Sequence, residues 1–345
     1  MRLLWRLIKT LLWALLLGTL GLLSPVVYVE TLCRPTGHAI PYTPILPVSD
    51  RRPESATLLT WPEWQIVHAY EDYAQVITTG DPQDYAFLPE IGSFWSSLCT
   101  LSRAAGPLGG VTLEDKQMLY TIGVSFTLEL SLKAAYEQTL GRLAVWIRGP
   151  DRATLDDLTA QMATDYARFL YQVPWYHWNF ARDADTLAAN TAPGFRNGER
   201  RTAIGLEFRA KAAYAAMIAA AVAATGFDQL TMRSVVKGIT PADLAQINGI
   251  AVIQTLPQGV EIETPRYQAF TDLALILAMR GAKFVEIAGN DDIMYSDLSG
   301  EPTQPGALMD MSRQGFGDYR HLHLIKVADL SRALLAGGVE HIHDY

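Results

Sequence analysis

Residues 321–345 read HLHLIKVADLSRALLAGGVEHIHDY, and four of the chain's seven histidines stand in them as two His-x-His pairs. Alternating apolar residues from Tyr319 to Val327 predict a strand. ADLSRALLAGG predicts a short helix stopped by glycine, and VEHIHDY a last strand. The order is β–α–β. Working upstream, KFVEIAGNDDIMYSDLSG (283–300) predicts two strands turning at Gly289–Asn290–Asp291, the signature of a hairpin. YQAFTDLALILAMRG (267–281) predicts a helix, with strands GIAVIQTL (249–256) and GVEIET (259–264) before it. Helices on one side of an antiparallel sheet give a C-terminal α+β domain of ferredoxin-like kind, residues 239–345. GEPTQPGALMDMSRQGFGD (300–318) shows no clear element, and loops of that length tend to be functional or mobile.

Before residue 239 the period changes to 3.6. Thr60 is the expected cap of a helix that carries Trp64, Ile66, Val67, Tyr70 and Ala74. Further helices are expected over 91–104, in the long segment 113–149, over 151–173, and in the alanine-rich stretch ending at Gly226. Residues 55–238 therefore read as a mainly helical domain.

At the start, Arg2, Arg6 and Lys9 form a short cytoplasmic N-terminus, residues 1–9. No charge follows from Thr10 to Val29. About twenty residues at 1.5 Å each give about 30 Å, the thickness of the hydrocarbon core. Residues 10–29 are thus expected to be a transmembrane helix acting as a signal-anchor. A cleavable signal peptide is the rival reading, but VYVETLC offers no small-x-small site. The bulk of the protein is then expected in the periplasm, held at the inner membrane by a single pass. Residues 30–54 hold five prolines between Pro35 and Pro53 and read as an extended linker. In an oxidising compartment the two cysteines, Cys33 and Cys99, are expected to form a disulfide. The net charge of −8 is a poor match for nucleic acid.

TWPEWQIVHAYEDYA (60–74), GVSFTLELSLKAAYEQTLGR (123–142) and the terminal VEHIHDY (339–345) resemble recurring stretches of an uncharacterised set of bacterial membrane-anchored envelope proteins. The resemblance spans most of the chain after residue 50. It implies an envelope location and no activity or site residue.

Three groups are candidate sites. His321 with His323 and His341 with His343 each share a strand face, and His-x-His is a two-ligand chelate for zinc or a similar divalent metal. In a ferredoxin-like sheet one strand separates the two pairs, about 10 Å apart at about 4.8 Å per strand, so structural histidines are the favoured reading. Glu129, Lys133 and Glu137 recur every four residues as a polar stripe on an apolar helix, with Arg142 a turn further on and somewhat off the stripe. Glu207 and Lys211, or Arg200 and Arg201, are the expected partners for buried charges. The functional reading is a polar pocket, the structural one an ion-pair network. Trp175, Tyr176, His177 and Trp178, with Trp61 and Trp64, form an aromatic cluster suited to a cleft, an interface or a core. Asp291 and Asp292 are read as turn chemistry. Nucleophile-elbow, phosphate-loop, zinc-protease, redox and dinucleotide motifs are absent. The expected function is a non-enzymatic binding or assembly module for an envelope partner, protein or lipid. The alternative is a metal-dependent periplasmic enzyme using the two His-x-His pairs.

Overall fold

In the computed structural model, residues 2–40, 42–225 and 230–345 are described; the expected helix stop at Gly226 lies outside them. Eight helices fill the first two thirds: α1 Arg2–Leu32, α2 Ala56–Thr79, α3 Phe87–Ala104, α4 Leu113–Tyr136, α5 Arg142–Arg148, α6 Thr154–Leu170, α7 Phe180–Ala189 and α8 Phe195–Thr225. A π-helical turn, Glu137–Gly141, joins α4 to α5. Local chemistry explains several boundaries. Thr112 caps α4 by accepting from Asp115 N (3.2 Å), and the Asp115 carboxylate accepts from Thr112 N (2.7 Å). Gly123 sits mid-helix because a Cβ there would collide with the Phe94 ring, so α3 and α4 pack closely. The start of α2 is four residues earlier than Thr60, which leaves Pro62 inside the helix.

The remaining third forms two four-stranded sheets, where one sheet with a hairpin was expected. The first contains β1 Thr231–Lys237, β2 Ala251–Leu256, β3 Gly259–Pro265 and β4 Lys283–Ile287, in the order β2-β3-β1-β4. Helices α9 Pro241–Leu244 and α10 Gln268–Met279 connect them. The second contains β5 Asp292–Ser299, β6 Met309–Ser312, β7 Tyr319–Lys326 and β8 Val339–His343, in the order β6-β7-β5-β8, with α11 Leu330–Ala336 before the last strand. All paired neighbours are antiparallel. The two sheets thus share one topology: the first strand lies between the third and fourth, and the second lies on the outer edge. β1 falls before residue 239, within the stretch expected to be helical, and β6 falls inside the stretch expected to be structureless. The turn at Gly289–Asn290 makes no hairpin. It carries a single bridge, Ile287↔Asn290, and hands the chain from one sheet to the other.

The expected anchor, residues 10–29, lies within α1, whose side chains at positions 7, 11, 14 and 15 are outside the description. Among the described residues no helix is long and apolar enough to cross a membrane. Leu12, Trp13, Leu16, Leu17, Leu20 and Leu23 nevertheless stand exposed. The end of α1 is fixed to the body. Cys33 and Cys99 form a disulfide, Lys116 pairs with Glu30 at 2.5 Å, and Arg103 donates to Leu32 O at 2.8 Å.

The proline-rich stretch that follows, expected to be an extended linker, is strapped to the body at its described residues. Ile45 N and Leu46 N donate to the buried Glu286 carboxylate on β4 (2.6 and 2.8 Å), and Tyr42 Oη donates to it at 2.8 Å. Gly289, at φ +84°, lets Arg51 approach where any Cβ would clash.

The closed loop between the cysteines spans a separation of 66 residues. Constraint of the unfolded chain on that scale stabilises by about 4 kcal/mol. Cys33→Ser should therefore lower the unfolding free energy in non-reducing buffer by that order. Reducing agent should produce the same loss in the unsubstituted protein, and no change in either case would count against the bond.

Candidate functional site

β5 lies between β7 and β8, so the two histidine pairs are one strand apart. The register adds a stronger constraint. His321 and His323 pair with Asp297 and Tyr295, whereas His341 and His343 pair with Ser296 and Met294. Successive residues of β5 point to opposite faces. The two pairs therefore project from opposite sides of the sheet, and one ion cannot gather the four rings. Each ring also has a local environment. His321 lies 2.6 Å from Asp310 and 2.8 Å from Ser299, while His323 meets the Gln304 amide at 2.9 Å and stacks on Tyr295. His341 lies against Trp64, with ring centroids 3.6 Å apart, and His343 makes no hydrogen bond beside Trp61. The proposed metal set is thereby replaced by buried structural histidines. An enzyme built on all four is not supported.

The face that carries His341 and His343 packs on α2, together with Trp61, Trp64 and His68. Burial pushes all three imidazoles down, His341 to about 3 and His343 well below the usual range. Beside them His68, Glu71 and Glu340 bring ligand atoms within 4.8 Å of one another, as do Glu54, Asp291 and Asp292 elsewhere. Both groups are compensated from within. Arg320 grips Glu340 at 2.6 and 2.7 Å and reaches Glu71 at 3.2 Å, Arg313 adds a bond to Glu71 at 3.3 Å, and Lys326 bridges Asp291 and Asp292. A dication beside these guanidinium groups would be repelled. Burial opposes the Glu340 charge, but the Arg320 guanidinium outweighs it and holds the carboxyl at about 2. Asp72 shows the reverse balance. Burial raises it to about 8, against the single hydrogen bond that it accepts from Gln314 N at 2.7 Å, and its Oδ1 has no partner.

The polar stripe on α4 finds partners on α8. Lys133 pairs with Glu207 at 3.1 Å, and Lys211 with Glu129 at 2.7 Å and Glu207 at 3.3 Å. Burial works against Glu207, but Lys133 and Lys211 hold its carboxyl at about 2. Glu137 is fully buried and receives both Arg200 nitrogens, at 2.9 and 3.1 Å. A π turn starts at Glu137, which is buried, while Arg142 beyond it is exposed and donates to Gln138. Gly141 makes room, because a Cβ there would strike the Glu137 carboxylate.

Where α2, α4, α6 and α8 meet, a cavity of about 240 Å³ opens. Glu129 and Lys211 sit on its wall, and Tyr70 Oη donates to Glu129 at 2.7 Å. Rings supply most of the rest: Trp64, Phe126, Tyr166, Tyr171, Trp175, Tyr214 and Tyr267. Tyr267 has φ +63°, an uncommon conformation for a bulky residue. The Asp344 carboxylate holds it there by accepting from Tyr267 N at 2.9 Å. Strain of this kind gathers at binding sites. Among the described lining residues there is no histidine or cysteine. Of the expected aromatic cluster Trp64 and Trp175 reach the cavity. Trp178 belongs to the core around Phe180 and donates to Asp183 at 2.7 Å, Tyr176 packs on the same core, and His177 is exposed. Sequence reasoning missed Glu63, Tyr70, Tyr171, Tyr214 and Tyr267 as one site. Glu63, Val67 and Tyr70 do share a helical face by their spacing, which was the available signal.

Two consequences are measurable. Gly141→Ala should displace Glu137 from Arg200 and cost about 3 kcal/mol of unfolding free energy, as breaking buried pairs does. An effect below about 0.5 kcal/mol, the ordinary surface value, would show that the close approach is unimportant. For Asp72, the folded chain keeps its proton up to about pH 8, while the unfolded chain releases it near pH 3.9. Stability from this group is therefore lost as pH rises through that window. Asp72→Asn should stabilise the protein at pH 8 and not at pH 4, read from denaturant midpoints at both values.

Comparison with family descriptions, curated proteins and solved structures finds no match to the chain, and the site is read from its own geometry.

Proposed function

We propose that this protein is a membrane-anchored binding module of the bacterial envelope, and that its ligand is an apolar or amphipathic small molecule, such as a lipid, held in the cavity among α2, α4, α6 and α8. The observation that carries this reading is the cavity itself: a pocket walled by aromatic rings, open to solvent, with one charged cluster on its wall. Such a mix of apolar walls and few polar groups is typical of small-molecule sites. The uncharged run from Thr10 to Val29 and the exposed leucines of α1 support an inner-membrane anchor with the N-terminus cytoplasmic. The disulfide favours an oxidising compartment, hence a periplasmic body. The strand order repeated in both sheets supports reading each as a ferredoxin-like unit, an architecture that serves binding as readily as catalysis. No reacting group is assigned.

The test uses the full chain in lipid nanodiscs, with empty nanodiscs as reference. Octanol should quench or shift tryptophan fluorescence saturably, since Trp64 and Trp175 line the cavity. Ser125, half-buried on the wall and 3.5 Å from Tyr214 Oη, offers a place to fill it. Ser125→Phe should weaken octanol at least tenfold while the disulfide and helix content are retained. Unchanged affinity in that variant would sink the proposal.

A further inference from the structure

The charges on the cavity wall are unevenly partnered. Among the described lining residues there are two carboxylates, Glu63 and Glu129, and one ammonium, Lys211. Lys211 is spent: it pairs with Glu129 at 2.7 Å and with Glu207 at 3.3 Å. Glu63 is different. It lies in the second turn of α2, exposed to the cavity, and no hydrogen bond or ion pair to another described residue holds its carboxylate. Arg266 acts on it from a distance, but Arg266 is engaged by Asp344 at 3.1 Å. The cavity therefore carries one negative charge in excess, placed where the surrounding surface is aromatic.

Aromatic walls beside an unpaired carboxylate are the chemistry that recognises alkylammonium groups, because ring faces are negative and attract a weakly hydrated cation. The protein already uses this device on the same wall. Lys211 Nζ stands 5.0 Å from the Tyr70 ring centroid and 5.8 Å from that of Tyr166. The rings of Trp64, Tyr171, Trp175 and Tyr214 line the cavity, and among the described residues no cation stands over them. An anionic head would meet Glu63, and among the described lining residues the one ammonium, Lys211, is already paired.

We propose that the cavity takes an amphiphile with a cationic head, its ammonium or quaternary ammonium group paired with Glu63 against these rings and its apolar chain along Ile122, Phe126 and Leu170. This deepens the binding function proposed above and rests on it.

Three probes with one chain and different heads separate the two ideas: octyltrimethylammonium, octyl sulfate and octanol. Each is titrated against the full chain in nanodiscs by tryptophan fluorescence. The ammonium should bind at least tenfold more tightly than the sulfate. Glu63→Gln should weaken the ammonium about tenfold and leave octanol within twofold, which also reports an intact cavity. Glu63→Lys should reverse the preference. Equal binding of ammonium and sulfate, or indifference of the ammonium to Glu63→Gln, overturns the cationic head while leaving an apolar site. Absence of saturable binding by all three overturns the cavity reading with it.

Discussion

The hydroxyl of Thr57 is inserted between β5 and β8. It donates to the His343 carbonyl at 2.6 Å and accepts from Met294 N at 3.1 Å, both groups being buried. One side chain of α2 thus takes the place of a ladder contact at the end of the second sheet. The rest of α2 follows from that position. Trp61 and Trp64 press on the histidines of β8, and Gln65 and Asp72 reach α3 and the segment after β6. Glu63 and Tyr70 turn to the cavity, and Ala69, Tyr73 and Ile77 fill the helical core. The helical and sheet-bearing parts therefore share a core, to which α2 brings Leu58, Trp61 and Trp64 and α3 brings Leu101, and the helix that walls the cavity also packs on the second sheet.

Much of the secondary structure was legible. The 3.6-residue period marked the helices, and the terminal β–α–β was plain from alternation and glycine stops. The missed elements had weak local signals. β1, TMRSVVK, has consecutive buried residues rather than alternation, and β6 is four residues long amid glycine and proline. The division into two sheets was not legible at all. Ala288 and Gly289, at φ +49° and +84°, turn the chain just as a hairpin would, and only long-range pairing decides that β4 joins β1 while β5 joins β7.

The polar stripe was legible because its spacing is local, and so was the need for partners, because buried charge must be compensated. The spacing also placed Arg142 off the stripe, but the π turn was not legible, since nothing in EQTLG announces it except the glycine that permits it. The cavity was beyond reach for a simple reason. Its walls come from residues near 65, 125, 170 and 212, and no pattern within one segment unites them. The four histidines show the converse. A cluster conspicuous in sequence is divided in space, because side chains on adjacent β5 positions face opposite ways.

The Cys33–Cys99 bond has a mechanical meaning. A pull along α1 enters the body at residue 33 and passes through sulfur into α3. The strapped segment that follows, with its amides held on Glu286, is bypassed. Tension from the N-terminal helix would load the helical core directly and leave β4 and the first sheet slack. The covalent link makes the helical core the part that feels where α1 goes, and spares the sheets from carrying it.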